Sequence, residues 1–296
     1  MLLPKWWPTW VVLGFLRLTV YLPNFIAEAI GAGFGNLFYL LNKKRRRVAR
    51  INLSLCFPEM TPAARKQLMR DHFRIYGQTF IDMARIWWAS EKYLERFIRI
   101  EGLEHYTRQH EAGKQVILLT GHFVGIDVGG PMISRHYPQI GLIKPIRNIV
   151  MDWVLGRGRV RFGSKMLLRD EGMRQVVQAI KDGFGFSYVP DEDFGPERSV
   201  FVPFLGTRAP TLTSVGKLAR MTNATVIPCF VWRRSAREGY VIKMHPPLEN
   251  FPSADDVADA ARVRQVLAEA VREHPAQYMW TFKFFRSRPD GKPSPY

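Results

Sequence analysis

The apolar positions at the start of the chain form two runs, over residues 6–22 and 25–41, with few polar interruptions. Each run lies near the lower limit for crossing a bilayer, which takes ~20 apolar residues in a helix. Residues 43–47 are all Lys or Arg, as expected for a segment on the cytoplasmic side of a membrane. The pattern predicts a membrane-anchoring helical segment over residues 1–42, and two buried helices of a soluble fold are the alternative.

The rest of the chain, residues 43–296, has the pattern of one α/β domain. Thr61 and Pro62 have the residue types of an N-cap and a first helical position, and apolar residues then recur at helical spacing. Strands are predicted at 116–119, 139–144, 184–189, 225–232 and 240–245, and helices at 61–87, 126–135, 148–158, 171–182, 213–222 and 254–273. This alternation predicts a mixed central sheet flanked by helices.

Charge narrows the possible partners. Lys and Arg total 43 against 26 Asp and Glu, a formal net charge of +17. Such a field attracts nucleic acid, an anionic bilayer, a phosphorylated ligand or an acidic carrier protein. The basic residues are not interleaved with stacking aromatics and match no nucleic-acid-binding motif, so nucleic acid is not expected. Tryptophans near the amino terminus favour a bilayer interface.

The candidate catalytic segment is Gly121–Asp127, directly after the apolar strand at 116–119. His122 would lie beyond the carboxyl end of that strand, where α/β proteins concentrate ligand chemistry. If a helix begins near Phe123, Asp127 can turn back to the imidazole, fix its tautomer and support its positive charge. The chain has no G-x-S-x-G elbow, so we expect a substrate hydroxyl to attack, with His122 as general base. A structural histidine would show the same spacing.

Two further clusters carry charge. Arg157, Arg159 and Arg161 stand at alternate positions and would share one face of an extended segment, able to hold phosphate or carboxylate. A solvated surface strip is the alternative. The turn 189–196 contains three consecutive acids, Asp191 to Asp193. They suggest a ligand clamp, a hub that pairs arginines or a metal site; a metal is the least expected because no nearby His completes a ligand set.

Several segments, in this order, resemble the lipid A late acyltransferases, the lauroyl and myristoyl transferases of Gram-negative bacteria, within the wider glycerolipid acyltransferase group. The segments are INL (51–53) with CFP (56–58), GHFVGID (121–127), GRVRFGSKML (158–167), VPDEDFGPERSVFVPFLG (189–206), VIPCF (226–230) and EHPAQYMWTFKFFRSRPDGKPSPY (273–296). A lone HxxxxD would be a weak signal, whereas the ordered set is specific.

The resemblance implies the roles of several residues. His122 and Asp127 match the catalytic pair of the family, in which many members have Glu at the second position. Arg159 matches an arginine thought to bind an anionic substrate group, and Asp191 falls where related enzymes carry an acid that helps to hold the acceptor. Their neighbours complete the predicted substrate-binding set, which is Arg157, Arg159, Arg161, Asp191 and Asp193.

The resemblance also implies the substrates. The donor would be an acyl-acyl carrier protein, used as a co-substrate with no cofactor or metal. The acceptor would be a lipid A precursor or similar anionic glycolipid, at the cytoplasmic face of the bacterial inner membrane. The alternatives are transfer to another glycolipid or a lysophospholipid, or a non-catalytic protein that binds anionic membranes or nucleic acid.

Overall fold

The computed structural model describes the backbone of residues 1–296 and all side chains apart from those of Glu171 and Asp290. The helices are α1 (Trp7–Thr19), α2 (Asn24–Leu41), α3 (Lys43–Cys56), α4 (Pro62–Trp88), α5 (Glu91–Phe97), α6 (Leu103–Glu111), α7 (Ile126–Ile133), α8 (Ile149–Val160), α9 (Met173–Lys181), α10 (Ser214–Thr222) and α11 (Asp256–Glu273). The strands are β1 (Ile98–Glu101), β2 (Gln115–Leu119), β3 (Gln139–Ile143), β4 (Lys165–Leu168), β5 (Gly185–Tyr188), β6 (Val200–Phe204), β7 (Thr207–Thr211), β8 (Ala224–Arg233) and β9 (Tyr240–Met244).

The predicted mixed sheet is confirmed. A seven-stranded sheet has the order β1-β9-β8-β2-β5-β3-β4. Its pairs are parallel except β8 with β9, which are antiparallel. The antiparallel hairpin of β6 and β7 forms a separate sheet and, like β1, has no counterpart among the predicted strands. The N-cap prediction is also confirmed, because the Thr61 side chain accepts a hydrogen bond from the Ala64 N–H at the start of α4.

Helices cover both faces of the sheet, and β2 shows how the sequence divides between them. Ile117 and Leu119 join a core that contains buried residues of α9, α10 and α11. Val116 and Leu118 join a second core on the other face, together with residues of α7. This is the two-residue period of a strand, and it explains why β2 is apolar throughout.

Helix α2 packs against α4 through small residues. A Cβ atom on Gly35 would lie 2.2 Å from the Phe73 carbonyl oxygen, and one on Gly77 would lie 2.3 Å from the Gly31 carbonyl oxygen. The backbones of α2 and α4 therefore approach closely. The outward face of α1 and α2 is apolar and exposed. Its residues include Val11, Phe15, Leu18, Phe25, Leu37, Leu40 and Leu41. Within the described residues, no helix combines the length and apolar character that a bilayer crossing requires.

A buried ionic network ties α2 to the sheet. The Arg233 guanidinium contacts Glu28 of α2 at 3.0 Å and Asp82 of α4 at 3.1 Å. Asp82 also pairs with Arg85 and accepts a hydrogen bond from the Tyr240 hydroxyl. These contacts link α2, through Glu28 and Arg233, to strand β8 of the sheet.

Candidate active site

A cavity of about 470 Å³ lies at the carboxyl end of β2, between the sheet and helices α7 and α8. Its wall contains the charged or titratable side chains of His122, Asp127, Lys144, Asp152, Arg159, Arg169 and Glu192. Apolar side chains supply much of the remainder, among them Leu118, Ile126, Ile133, Ile140, Leu142, Leu155, Met166 and Val231. The cavity therefore combines an apolar interior with a small set of polar groups, as ligand sites usually do.

His122 is held by Asp191, which lies at the end of the neighbouring strand β5. The Asp191 Oδ1 atom is 2.5 Å from Nδ1 of the imidazole, and Oδ2 accepts the backbone N–H of His122 at 2.8 Å. Asp191 is fully buried, whereas His122 reaches the cavity wall. Because Nδ1 is engaged, Nε2 is the nitrogen left to react.

Residues 277–282 close the other side of His122. The Met279 N–H donates to the His122 carbonyl at 2.8 Å, and the Tyr278 hydroxyl donates to Asp191 Oδ2 at 2.9 Å. The Phe282 ring lies 5.0 Å from the imidazole, centroid to centroid. The C-terminal block that carries part of the family resemblance thus forms part of the site. The role of Tyr278 was missed by sequence reasoning, although the residue lies in that block.

The charge balance at His122 favours a protonated imidazole. Burial of the ring lowers its pKa, but Asp191, reinforced by Glu192, outweighs burial and raises the pKa of His122 above its ordinary value. Burial opposes ionisation of Asp191 too, yet His122 and Arg264 hold the pKa of that carboxyl below its usual value. A carboxylate beside the ring stabilises the charge that the ring gains when it takes up a proton.

Asp127 makes a different contact from the one predicted. Arg159 donates to both of its oxygens, from Nε at 2.7 Å and from Nη2 at 3.1 Å. This bidentate pair links α7 to α8 across the cavity wall. The predicted contact between Asp127 and His122 is therefore not made. Asp191 contacts Nδ1 of His122 instead, and Asp127 pairs with Arg159. Both predicted catalytic residues nevertheless line the same cavity.

The predicted arginine fork is wrong, because α8 continues to Val160 instead of giving way to an extended segment. Side chains two positions apart on a helix point in nearly opposite directions. Arg157 lies over the Trp153 ring, 5.0 Å from its centroid, and Arg161 donates to the Ile86 and Ala89 carbonyls at the end of α4. Of the three arginines, Arg159 lines the cavity.

The acidic turn behaves mainly as a hub. Asp193 accepts hydrogen bonds from the Ser287 N–H and hydroxyl at 2.6 and 2.8 Å, and so fixes the turn to the C-terminal segment. Glu192 lies on the cavity wall, where Oε2 is 2.6 Å from Arg169 Nη1 and Oε1 is 3.7 Å from His122 Nε2. Neither Glu192 nor Arg169 was among the predicted site residues, although Glu192 falls in the acidic turn at 189–196.

Other chemistry in the cavity is limited. Burial raises the pKa of the Cys229 thiol in the wall to about 12, so it stays protonated and is a poor nucleophile. Among the described side chains, no group of three or more His, Cys, Asp or Glu is arranged to hold a metal ion. The arrangement can therefore supply a base, a buried carboxylate that supports it, and cations for an anionic ligand.

Residues 1–287 match the family described as bacterial lipid A biosynthesis acyltransferase. The chain is 35% identical over 295 residues to the lipid A biosynthesis lauroyltransferase of Escherichia coli, which covers 99% of this chain and 96% of that protein. It is 34% identical over 302 residues to a lipid A biosynthesis acyltransferase of Haemophilus influenzae, with 100% and 96% coverage.

Among solved structures, the 1-acyl-sn-glycerophosphate acyltransferase PlsC from Thermotoga maritima matches with a TM-score of 0.39 and 15% identity, over 80% of this chain and 100% of that one. That similarity is too low to support an argument about the site. The sequence matches instead extend over nearly the whole chain and include the segments that build the cavity. The protein is therefore an acyltransferase and belongs to the bacterial lipid A biosynthesis acyltransferase family.

Proposed function

We propose that the protein transfers a fatty acyl chain from acyl-acyl carrier protein to a hydroxyl of a lipid A precursor, with His122 as general base. The observation that carries this proposal is the geometry of the imidazole. Nδ1 lies 2.5 Å from the buried Asp191 carboxylate, which leaves Nε2 at the cavity wall. A ring held in this way is suited to take a proton from a substrate hydroxyl.

The reaction then needs no nucleophile from the protein. The acceptor hydroxyl, on a 3-hydroxyacyl chain of the lipid, donates a hydrogen bond to Nε2, and its oxygen attacks the carbonyl carbon of the donor thioester. Nε2 takes the proton as the C–O bond forms, and the tetrahedral oxyanion then expels the carrier thiolate. The imidazolium returns its proton to that thiolate. General-base catalysis of this kind contributes typically ~10²–10⁴-fold to the rate.

Asp191 and Asp127 have different roles in this mechanism. Asp191 orients the ring and stabilises the imidazolium, the role that sequence reasoning gives to Asp127. Asp127 instead fixes Arg159 on the cavity wall through two hydrogen bonds. Those bonds use Nε and Nη2 of Arg159, so Nη1 is available to an anionic group of a substrate. Asp127 and Arg159 therefore act as one positioning unit.

The apolar part of the cavity supports a fatty acyl ligand. Residues of β2, β3, α7 and β8, such as Leu118, Ile140, Ile133 and Val231, line it on the sheet and helix sides. Burial of a methylene group contributes roughly 0.8 kcal/mol, so a long chain can bind tightly without polar contacts. We assign this volume to the acyl chain of the donor.

A basic groove between α3 and α4 supports the carrier as donor. Its volume is about 730 Å³, and its cationic lining residues are Lys43, Arg46, Arg47, Arg50, Arg65 and Lys66. Among the described side chains, no Asp or Glu lines this groove. Complementary charge guides association and disfavours wrong partners, which suits an acidic carrier protein.

The exposed apolar face of α1 and α2 supports contact with a bilayer. Leu37 and Leu41 are 52% and 72% exposed at the end of α2, directly before the basic start of α3. Apolar side chains followed by cations match the boundary between acyl chains and anionic headgroups. We therefore propose that residues 1–42 anchor the enzyme to the cytoplasmic face of the inner membrane, where the acceptor resides.

The test is an assay with purified protein, carriers loaded with different acyl chains and a defined tetra-acyl lipid A precursor. We expect transfer by the wild type and loss of turnover in His122→Ala, with membrane attachment retained. Turnover by the purified variant at the wild-type rate would refute the base assignment. Acyl-CoA donors and lysophospholipid acceptors are run in parallel, and a preference for either would replace the corresponding substrate.

A further inference from the structure

We infer that Arg169 binds an anionic substituent of the acceptor, such as a phosphate, and that Glu192 pairs with Arg169 until this substituent displaces it. This inference rests on the proposed function and concerns the same cavity. It assigns to the acceptor a contact that is separate from the unit formed by Asp127 and Arg159. It also connects recognition of the acceptor to the base that activates its hydroxyl.

The first observation is the position of Glu192 between a cation and the reacting nitrogen. Its Oε2 atom lies 2.6 Å from Arg169 Nη1, and its Oε1 atom lies 3.7 Å from His122 Nε2. The second distance is too long for a hydrogen bond, so Nε2 remains available. An acceptor hydroxyl that reaches Nε2 must nevertheless approach beside the Glu192 carboxylate.

The second observation is that Arg169 is the arginine of the cavity whose present partner is easiest to replace. The cationic lining residues are Lys144, Arg159 and Arg169. Arg159 makes two hydrogen bonds to Asp127, whereas among the described side chains the acidic partner of Arg169 is Glu192, which it contacts through Nη1 alone. The side chains of Arg169 and Glu192 are 35% and 29% exposed, and ion pairs that water reaches contribute little to stability.

The third observation explains how Arg169 stays in place when Glu192 moves. Its guanidinium lies over the Phe194 ring, 5.1 Å from the centroid. This cation–π contact attracts the guanidinium to the ring independently of the ion pair. A phosphate carries more charge than a carboxylate and can accept two parallel hydrogen bonds from arginine, so it competes well for this position.

Displacement has a consequence for catalysis. Asp191, Glu192 and Arg169 are the charged groups that act on His122; the two acids raise the pKa of the imidazole, and Arg169, like burial, lowers it. A phosphate on Arg169 neutralises the guanidinium and leaves the Glu192 carboxylate beside Nε2. The imidazolium that forms during proton transfer is then stabilised by two carboxylates. An anionic acceptor therefore strengthens the base that acts on it.

The experiment compares a bis-phosphorylated tetra-acyl acceptor with its chemically dephosphorylated form. The variants are Arg169→Gln, Glu192→Gln and the double substitution. Arg174→Gln is the control, because Arg174 is exposed on α9 and its substitution changes the net charge by the same amount as Arg169→Gln. Circular dichroism and thermal unfolding verify that each variant folds. KM and kcat are measured for each acceptor with the same donor.

We expect Arg169→Gln to raise KM for the phosphorylated acceptor ~10- to 100-fold, the effect of one charge-assisted contact, and to leave KM for the dephosphorylated acceptor nearly unchanged. Glu192→Gln should lower KM for the phosphorylated acceptor, because Arg169 loses its competitor, and should reduce kcat. In the double variant, the decrease in KM that Glu192→Gln alone produces should disappear, because Arg169 is no longer present to bind the phosphate.

The inference is overturned if Arg169→Gln affects both acceptors equally, if Arg174→Gln has the same effect, or if the two substitutions combine additively. A wild type that transfers to both acceptors, with no selective loss in Arg169→Gln, overturns this inference alone. A wild type that acylates neither acceptor refutes the proposed function, and this inference with it.

Discussion

Asp191 contacts His122 twice, because its Oδ1 atom lies 2.5 Å from Nδ1 of the ring and its Oδ2 atom accepts the backbone N–H at 2.8 Å. One carboxylate thus fixes both the position of the main chain and the orientation of the imidazole. The Tyr278 hydroxyl occupies Oδ2 as well, at 2.9 Å, which keeps the carboxylate from rotating. Nε2, the nitrogen to which we assign the base role, is therefore positioned before any substrate binds.

Substitution of Asp191 tests this arrangement. Asp191→Asn removes the charge that stabilises the imidazolium, so we expect kcat to fall ~10²–10⁴-fold. Tyr278→Phe removes one hydrogen bond from the same carboxylate and should cost less than about tenfold in kcat. Single-turnover rates of both variants, with folding verified by circular dichroism, measure the difference. Near-normal turnover of Asp191→Asn would show that Asp191 is not needed to support the His122 imidazole, and would favour Asp127 in that role.

The pH dependence of kcat/KM follows from the raised pKa of His122. The base must be neutral, so activity should rise with pH through the pKa of the ring, with a midpoint above the ordinary value of 6.5. Glu192→Gln removes a carboxylate that raises this pKa and should move the midpoint to lower pH. Arg169→Gln removes a cation that lowers it and should move the midpoint upward. Shifts in the reverse directions would contradict the assignment of charges around His122.

Arg161 is expected to stabilise the fold. Its guanidinium donates to the Ile86 and Ala89 carbonyls, which lie in the last turn of α4 and just beyond it. Arg161→Gln should lower the free energy of unfolding by about 1–2 kcal/mol, measured by urea denaturation. Arg157→Gln, which removes an arginine from the same helix end, should cost less. An unchanged stability of Arg161→Gln with a raised KM for the acceptor would restore its predicted substrate role.

Two glycines of α2 test the close approach of α2 and α4. Gly35→Ala places a methyl group 2.2 Å from the Phe73 carbonyl oxygen, so we expect a loss of about 1–3 kcal/mol or more. Gly33 has nothing within 4 Å of its would-be Cβ, so Gly33→Ala should instead stabilise the helix by about 0.5–1 kcal/mol. Chemical denaturation of both variants gives the comparison. Equal effects would show that the two backbones are not in contact.

The apolar face of α2 can be tested without touching the cavity. Leu37→Asp and Leu41→Asp place charges on residues that are 52% and 72% exposed, and we expect a clear loss of binding to vesicles containing phosphatidylglycerol. Val257→Asp is the matched control, because Val257 is 49% exposed on α11. Flotation assays measure the bound fraction. Equal binding by wild type and the α2 variants would remove this face from the proposed membrane contact.

Local sequence patterns predicted much of the fold and the position of His122. The apolar run of β2 places His122 at a strand end, and the Thr61–Pro62 cap begins α4 as its residue types require. The partner of His122 could not be obtained in this way. Asp191 is 69 positions away along the chain, and it meets His122 because β2 and β5 are parallel neighbours. Strand order is a property of the whole sheet.

The arginines of α8 show a second limit of sequence patterns. Alternate spacing suggests one shared face only if the backbone is extended, and the predicted helix ends at residue 158, whereas α8 runs to Val160. Gly158, in the last turn of α8, packs against Trp87: a Cβ atom on Gly158 would lie 2.3 Å from the Trp87 ring. That contact joins residues 71 positions apart in sequence, so neither propensity nor periodicity could indicate it.

The linkage through Arg233 has a consequence for the geometry of catalysis. Arg233 pairs with Glu28 of α2, and its main chain exchanges two hydrogen bonds with Gln277, whose carbonyl accepts the Val124 N–H next to His122. This path connects α2 to the loop that carries His122 through an ion pair and hydrogen bonds. If α2 rests on a bilayer as proposed, the imidazole stands at a constant height and tilt above the lipids. Which hydroxyl is acylated would then be decided by how far the acceptor can rise out of the leaflet.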